Sequence, residues 1–276
     1  MHFGVYGFHR AALEPDRLAL WARRAEDLGV ESLWVGDHLA MPVGSREAQS
    51  PRLEALSTLL FLAGCTREIR LAAGVIVLPQ RHPVVLAKQL TSLDHLSAGR
   101  LIVGIGVGHI PEELAACGVS MAERGRLADE VLEAMLHLWA PDEVQLDDSP
   151  YELSDVRQVP QPRQKPHPPL IVGGHSAAAH RRAARVGDGW FGWLLSPHET
   201  AEHVAGLRTA REAAGRSPDQ PFEITVAVAR VPDSRTVRAY REAGVDRIVI
   251  GPDPGEDMGA FLDSIAQLAP EHAASP

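Results

Sequence analysis

The sequence has few cysteines and no long apolar run, and both absences limit the class of protein. Two cysteines in 276 residues, Cys65 and Cys117, cannot form a disulfide framework, so we expect free, buried thiols in a reducing compartment. The longest apolar stretch, Leu71–Pro79, is too short to cross a bilayer. The amino terminus, MHFGVYGFHR, lacks the basic and long apolar regions of a signal peptide. These features predict a cytoplasmic protein that does not enter a membrane.

Lysine is also scarce: only two of the 27 basic residues are lysines, and the formal net charge is −9. An acidic chain is a poor non-specific binder of nucleic acid. The G-x-S-x-G motif, the Walker lysine loop and H-E-x-x-H are all missing. The histidines before residue 110 do not have the spacing of metal ligands, so the sequence predicts no metal site.

The sequence does contain a repeated alternation of short apolar runs with amphipathic segments. Its composition, 45% hydrophobic and 23% charged, is that of an ordinary globular protein. Nearly continuous apolar runs are typical of parallel strands covered on both faces. The pattern predicts strands at Phe3–Gly7, Ser32–Gly36, Leu71–Val77, Leu101–Ile105, Leu170–Gly173, Gly189–Trp193, Phe222–Ala229 and Arg247–Ile250. It predicts helices at Pro15–Leu28, Leu53–Cys65, Pro83–Leu96, Ala122–Trp139, Ala177–Val186, Ala201–Ala214 and Arg235–Ala243.

About eight strand–helix units in this length predict an α/β fold, a (β/α)8 TIM barrel, as one domain over residues 1–276. A doubly wound open sheet would show a glycine-rich dinucleotide turn after the first strand, and the segment Gly7–Arg10 is not one. The proline- and acid-rich segment at about 141–169 breaks the alternation. We interpret it as a structural excursion from the barrel, a small hairpin (Val144–Leu146 with Tyr151–Leu153) followed by extended chain.

In such a barrel the active site lies where strands end and loops begin. The second strand ends in Asp37 and His38. Histidine titrates near neutrality and can move a proton to or from a substrate, while Asp37 would orient it or bind a cofactor hydroxyl. The alternative is a structural histidine. The third strand carries Gly74 before the β-branched Val75 and Ile76, which allows a bulge or a close approach of backbone to a ligand.

The fourth and sixth predicted strands carry features of a ring-binding site. Alternating glycines, including Gly106 and Gly108, leave one face of the fourth strand without side chains, so that a flat ring can lie against the backbone. His109 follows at the barrel mouth. Trp190 belongs to an aromatic strand that would wall a ring pocket or pack in the core.

The fifth predicted strand ends in a candidate phosphate cradle, formed by Gly173, Gly174, His175 and Ser176. The two glycines expose backbone N–H groups, and Ser176 caps the helix that follows. The amino terminus of that helix carries partial positive charge, which favours an anion. An ordinary capped helix is the alternative.

Together these segments resemble the bacterial luciferase-like superfamily, and within it the branch that depends on coenzyme F420, a deazaflavin. The resemblance covers nearly the whole chain and is most specific over Arg81–Gly108. Its blocks stand in the family's order: RAEDLGVESLWVGDH, GVIVLPQRHPVVLAKQLTSLDHLSAGRLIVGIGVG, ERGRLADEVLEAMLHLW, PPLIVGGHSAAAHRRAARVGDGW and REAGVDRIVI.

The resemblance implies a barrel, commonly a homodimer, that binds a flavin or deazaflavin across the carboxyl ends of the strands. By the family pattern, a cis peptide between Gly74 and Val75 presses on the central ring, and the phosphate cradle holds the cofactor phosphate. The matching Asp-His pair of the F420-dependent members contacts the cofactor and moves a proton. This role would fall to Asp37 and His38.

The implied activity is that of an F420-dependent oxidoreductase, which transfers a hydride between deazaflavin C5 and a C=C, C=N or C=O group of a small substrate. His38 would be the proton donor or acceptor. The alternative is an FMN-dependent luciferase-like monooxygenase, which uses O2 and reduced flavin from a partner reductase. A third reading is a barrel that carries a flavin without catalysis. Some sugar-phosphate dehydrogenases of the family have a glutamate where His109 stands, which argues against that substrate.

Basic residues bear on the choice of cofactor, because F420 has a polyglutamate tail whose groove would be basic. Arg10, Arg46, Arg81, Arg181 and Arg182 would supply this charge. Dispersal of these arginines in the fold would favour the flavin alternative.

Overall fold

The apolar runs of the sequence form the inner ring of a parallel barrel. The computed structural model describes residues 1–140, 142, 146, 149–253 and 256–273. Its strands are β1 His2–Tyr6, β2 Ser32–Val35, β3 Arg70–Ala73, β4 Ile76–Val77, β5 Leu101–Gly106, β6 Leu170–Gly173, β7 Gly189–Trp193, β8 Glu223–Val228 and β9 Arg247–Ile250. The two short strands β3 and β4 share one position. Pairing of β3 with both β2 and β5 closes the ring at eight positions, which confirms the predicted (β/α)8 barrel.

Helices cover the outside of this ring. They are α1 Phe8–Ala11, α2 Pro15–Asp27, α3 Ala55–Cys65, α4 Pro83–Leu96, α5 Pro111–Ala116, α6 Arg124–Trp139, α7 Ala177–Val186, α8 Pro197–Ala213, α9 Ser234–Glu242 and α10 Met258–Ala273. Short 3-10 turns lie at Arg46–Gln49 and Leu78–Gln80. In α2, the buried residues Leu18, Ala22 and Ala25 recur three or four positions apart and form the stripe that packs inward.

The core has two layers, because each strand buries side chains on both of its faces. The larger layer lies between the strands and the helices. A second apolar cluster, which includes Tyr6, Trp34, Ile171 and Phe191, fills the barrel interior. The rings of Trp34 and Phe191 stack with 5.3 Å between centroids. A Cβ at Gly74 would lie 3.0 Å from Trp34, so this pair supports the backbone at the break between β3 and β4.

The predicted strands are all present within one or two residues, apart from the break in the third. Among the helices, α8 begins at Pro197 rather than at Ala201, because Ser196 and Glu199 form a capping box that the sequence analysis did not use. The helices α1, α5 and α10 were not predicted. The thiol prediction was partly wrong: both cysteines are free, but Cys117 is exposed and Cys65 is only half-buried.

The described part of the proline-rich segment lies on the outside of the barrel. Gln158 Nε2 donates to Thr91 Oγ1 of α4 over 2.6 Å, and Gln164 binds the Asp94 carboxylate. Of the predicted hairpin, Val144 and Gln145 lie outside the described residues, and residues 151–153 form no strand. No helix in the described ranges is long and apolar enough to cross a membrane. The same residues contain no group of three or more potential metal ligands placed around one point.

Candidate active site

A cavity of about 810 Å³ opens at the carboxyl ends of the barrel strands. Ten of the predicted site residues line it: Asp37, His38, Gly74, Val75, Gly106, Gly108, His109, Gly173, Gly174 and His175. Three do not, namely Ile76, Ser176 and Trp190. The predicted residues from four separate strand ends therefore meet in one place, as the barrel rule requires.

His38 is held by a carboxylate that the sequence analysis did not identify. Its Nδ1 lies 3.1 Å from Glu113 Oε2, and Glu113 is only 3% exposed. The other carboxylate oxygen accepts hydrogen bonds from the backbone N–H of Leu39 (2.6 Å) and of Ala40 (3.3 Å). Burial by itself would raise the pKa of Glu113, but these hydrogen bonds and the His38 ring outweigh it, and the pKa is lowered.

This arrangement fixes the tautomer of the imidazole. An ionised carboxylate only accepts hydrogen bonds, so the Nδ1 of His38 carries the proton that it donates to Glu113. Nε2 is then the nitrogen that can gain or lose a proton on the cavity side. His38 remains about one quarter exposed, with 24% of its side chain accessible. The pair can therefore exchange a proton with a molecule bound in the cavity.

Asp37, which we expected to orient His38 or bind a cofactor hydroxyl, is instead engaged with its own neighbours. Its Oδ1 accepts a 2.6 Å hydrogen bond from Arg81, and its Oδ2 accepts the backbone N–H of Val77 over 2.9 Å. The Arg81 guanidinium also binds Glu54, the amino-terminal cap of α3. Asp37 thus ties β2 to the segment after the strand break, and the orienting carboxylate is Glu113.

Val75 projects into the cavity from the break in the third strand. The Gly74–Val75 peptide bond is cis, as the family resemblance implies. Glycines make room for the Val75 side chain: a Cβ at Gly106 would lie 2.6 Å from Val75 Cγ2, and a Cβ at Gly173 would lie 2.9 Å from Cγ1. The fourth predicted strand does lack a side chain at Gly106, but Val75 covers this glycine and forms a ridge, so the cavity meets Val75 there and not the bare backbone that we expected.

The phosphate cradle forms the opposite rim of the cavity. Gly174 has a φ of +116°, a conformation that favours glycine. Ser176 caps α7 by accepting the N–H of Ala179 over 3.2 Å. Trp190 Nε1 donates to the Gly174 carbonyl over 2.8 Å, and His175 Nε2 accepts the Trp193 N–H over 3.0 Å. Hydrogen bonds that involve Trp190 and His175 therefore fix the cradle backbone without a bound anion.

Trp190 and Ile76 lie on the other face of their strands. Trp190 is fully buried against His180 and His203, outside the barrel interior, while Phe191 and Trp193 line the cavity. Ile76 is fully buried, while its two neighbours in the sequence, Val75 and Val77, line the cavity. Alternate residues of a strand face opposite sides, so an error of one position moves a side chain away from the site.

Four further cavity residues come from the first strand end and from the loop before α3: Tyr6, His9, Arg10 and Arg52. The strand-end rule, applied to β1, would have found His9 and Arg10; no pattern marks Arg52. Burial raises the pKa of Tyr6 to about 12. Burial, with the charges of Arg10 and Arg52, lowers the pKa of His9 to about 3. His9 therefore stays neutral, with Nδ1 accepting the Gly36 N–H over 3.1 Å.

Neutral His9 makes the fold sensitive to acid. Its pKa is about 3 in the folded chain and about 6.5 in the unfolded chain, so below pH 6.5 only the unfolded state takes up the proton. Stability is therefore lost as pH falls, by about 2 kcal/mol between pH 7 and pH 5 from this group. Urea unfolding of His9→Gln should show a pH-dependent loss smaller by that amount. His198→Gln, at an exposed position, should behave as the parent; equal losses in all three proteins would contradict the assignment.

The arginines considered for a polyglutamate tail are dispersed. Arg81 pairs with Asp37 and Glu54, and Arg182 pairs with Asp129 on α6. Arg181 is exposed on α7 and does not line the cavity. The side chain of Arg46 lies outside the described residues. Of the five, Arg10 lines the cavity.

Comparison with known proteins agrees with the barrel fold. An uncharacterised protein of Mycobacterium tuberculosis is 32% identical over 96% of this chain and 98% of its own. An F420-dependent glucose-6-phosphate dehydrogenase of Amycolatopsis mediterranei is 32% identical over 64% of this chain and 53% of its own. The crystal structure of the monooxygenase RslO1 from Streptomyces bottropensis superposes with a TM-score of 0.78 at 24% identity, covering 99% of this chain and 100% of that one.

One of these proteins is named as F420-dependent and another as a monooxygenase, so together they do not point to a single reaction. The family model described as luciferase-like monooxygenase matches residues 1–274, almost the full length. The chain belongs to the luciferase-like monooxygenase family.

Proposed function

We propose that the protein is an F420-dependent oxidoreductase that acts on a C=C, C=N or C=O group of a small substrate. The observation that carries the proposal is the His38–Glu113 pair at the cavity mouth, 3.1 Å apart, with the imidazole Nε2 left for the substrate. F420-dependent proteins occur among its relatives, which supports this choice. A proton donor or acceptor beside the ring site is what hydride transfer to or from a polar double bond requires.

The cavity fits a flavin-like cofactor at two places. The Val75 ridge, seated on Gly106 and Gly173, offers a narrow surface to a flat ring. At the rim of the cavity, the phosphate cradle offers the backbone of Gly174 and His175, next to the amino end of α7 that Ser176 caps, to a phosphate. Trp190 holds the cradle through the Gly174 carbonyl and supports the cofactor indirectly.

A bound deazaflavin supplies the hydride chemistry, and the chain supplies orientation and the proton. His38 gives up or receives a proton at Nε2 as charge develops on the substrate. Glu113, ionised and fixed by the N–H groups of Leu39 and Ala40, stabilises the imidazolium form. Tyr6 and Phe191 give the cavity an apolar wall that limits access of water.

An FMN-dependent monooxygenase, with reduced flavin from a partner reductase, is the second candidate. The observation in its favour is the dispersal of the arginines: Arg81 and Arg182 are paired with carboxylates and are not available to a polyglutamate tail. The structural similarity to a monooxygenase concerns the fold alone.

Parallel titration of the purified protein with F420 and FMN, followed by cofactor fluorescence, separates the two candidates. We expect micromolar binding of F420 and at least about tenfold weaker binding of FMN, a difference of about 1.4 kcal/mol. The opposite preference would support the monooxygenase and a search for its reductase. Binding of neither cofactor would contradict both candidates and leave the barrel assignment unchanged.

A further inference from the structure

Arg52 lines the cavity, and part of its guanidinium group makes no hydrogen bond. Its Nε and Nη1 are shielded from solvent and have no hydrogen-bond partner in the part of the chain that the structure describes. The loop that carries it is fixed, since the N–H of Leu53 donates to the His9 carbonyl over 2.7 Å. Buried N–H groups without an acceptor are unfavourable, and charged ones more so. A ligand that binds beside the guanidinium and displaces the atoms that shield these two nitrogens would supply the missing acceptor.

The nearby carboxylates are already committed to other groups. Asp37 is the one carboxylate among the described cavity-lining residues, and it binds Arg81 and the Val77 N–H. Glu54 binds Arg81 and caps α3. Glu113 is engaged by His38. None of these pairs with Arg52, whereas Arg81, on the same side of the barrel, has two carboxylates.

Arg10 adds a second positive charge to this side of the cavity. It lines the cavity from α1, its guanidinium carbon lies 5.9 Å from the centre of the Tyr6 ring, and no described carboxylate forms a salt bridge with it. Arg10 and Arg52 both lower the pKa of His9, so their charges act on the same point. In a chain with a net charge of −9, the cavity thus contains a local positive pair that attracts anions.

This arginine pair (Arg10 and Arg52) is separate from the phosphate cradle. Arg10 follows β1, and the cradle follows β6. Around the ring β1 and β6 are four positions apart, which is half of the eight-position barrel. An anion at the arginine pair would therefore lie across the barrel mouth from a phosphate at the cradle.

We propose that the substrate carries a carboxylate that binds Arg52 and Arg10, so that the pair orients the reacting group toward His38. The proposal rests on the proposed function, because it names the substrate class of the same cavity. The planar guanidinium fork of Arg52 matches a carboxylate with two parallel hydrogen bonds. A substrate with an ammonium or a neutral amide in place of the carboxylate would not fit the guanidinium in this way.

Titration calorimetry with cinnamate and cinnamamide tests the proposal, since the two probes have the same shape and differ in charge. The protein should bind cinnamate at least about tenfold more tightly than cinnamamide, which corresponds to one charge-assisted hydrogen bond. Arg52→Gln should remove this preference and leave cinnamamide affinity nearly unchanged. Arg52→Lys should retain part of it, because the charge remains and the fork is lost.

Three controls test whether the preference arises from the charge of Arg52. Arg238→Gln removes the same charge from an exposed position on α9, outside the cavity, and should keep the full preference. Thermal unfolding of every variant should match the parent within a few degrees, which excludes loss of folding as the cause. Raising the ionic strength should weaken cinnamate binding and not cinnamamide binding.

Three outcomes would overturn the proposal. The parent protein could show no preference for cinnamate. The preference could survive in Arg10→Gln/Arg52→Gln with cofactor affinity unchanged, or it could survive there while affinity for F420 and FMN is lost. The last outcome would assign the arginine pair to the cofactor. Titration with F420 and FMN distinguishes failure of the proposed function from failure of this proposal. If only the proposed function is wrong, neither cofactor binds, while the preference for cinnamate and its dependence on Arg52 remain.

Discussion

Replacement of His38 by alanine is expected to lower turnover by about a hundredfold to ten-thousandfold, the range that a positioned acid or base contributes. Cofactor affinity should stay within about threefold, or about 0.6 kcal/mol. The reason is the geometry: Nδ1 is committed to Glu113 at 3.1 Å, so the ring's function in the cavity is at Nε2. The measurement is oxidation of reduced cofactor with an enone or imine that the parent protein accepts, beside a cofactor titration of both proteins.

Glu113→Gln is the companion variant, because it acts on His38 without removing the ring. The amide keeps an acceptor for the Leu39 N–H but removes the negative charge that favours the imidazolium. Turnover should fall by about tenfold, less than in His38→Ala, while cofactor affinity stays close to that of the parent. Glu113→Asp should restore part of the parent turnover.

The outcome against this role is equally clear. A loss of cofactor affinity that matches the loss of turnover in His38→Ala would make His38 a binding residue. Unchanged turnover with tight cofactor binding would favour a barrel that carries a cofactor without using the histidine. Unchanged turnover in Glu113→Gln would remove Glu113 from the proton-transfer pair and leave it as an acceptor for the backbone N–H groups that follow β2.

The fold was predictable because its signal is repeated. Each strand of a helix-covered parallel sheet is apolar on both faces, so runs such as LIVG at Leu170–Gly173 stand out from the amphipathic helices between them. Short helices were missed because they do not repeat a pattern. A helix as short as Phe8–Ala11 has too few residues to show a period, and its residues resemble a loop.

The site was predictable only at the level of strand ends. The rule that loops after parallel strands meet at one edge brought together His38, Val75, Gly106 and Gly174. It could not say which acid reaches His38, because Glu113 is 75 residues away and belongs to α5, a short helix after β5 that was not predicted. The rule also could not predict which side of its strand Trp190 faces. Neighbouring residues of a strand point to opposite sides, so an error of one position exchanges the cavity side for the helix side.

Replacement of Ser176 by aspartate is expected to weaken binding of a phosphate-bearing cofactor strongly. Aspartate is as good an amino-terminal cap as serine, so α7 should be retained. Two like charges about 4 Å apart repel by about 4 kcal/mol at an effective dielectric constant of 20, and half of that already weakens binding about thirtyfold. We expect a loss between about thirtyfold and a thousandfold for F420 and FMN, measured by fluorescence titration.

Two comparisons decide whether such a loss arises at the phosphate. Ser176→Asn keeps the cap without the charge, so its cofactor affinity should remain close to that of the parent. Riboflavin and the phosphate-free deazaflavin chromophore should bind Ser176→Asp as they bind the parent, because the added charge would then have no phosphate to repel. If FMN and F420 keep their affinity in Ser176→Asp, the phosphate is held elsewhere. If the phosphate-free ligands lose affinity equally, the change acts on the ring pocket through the cradle backbone that Trp190 and His175 hold in place.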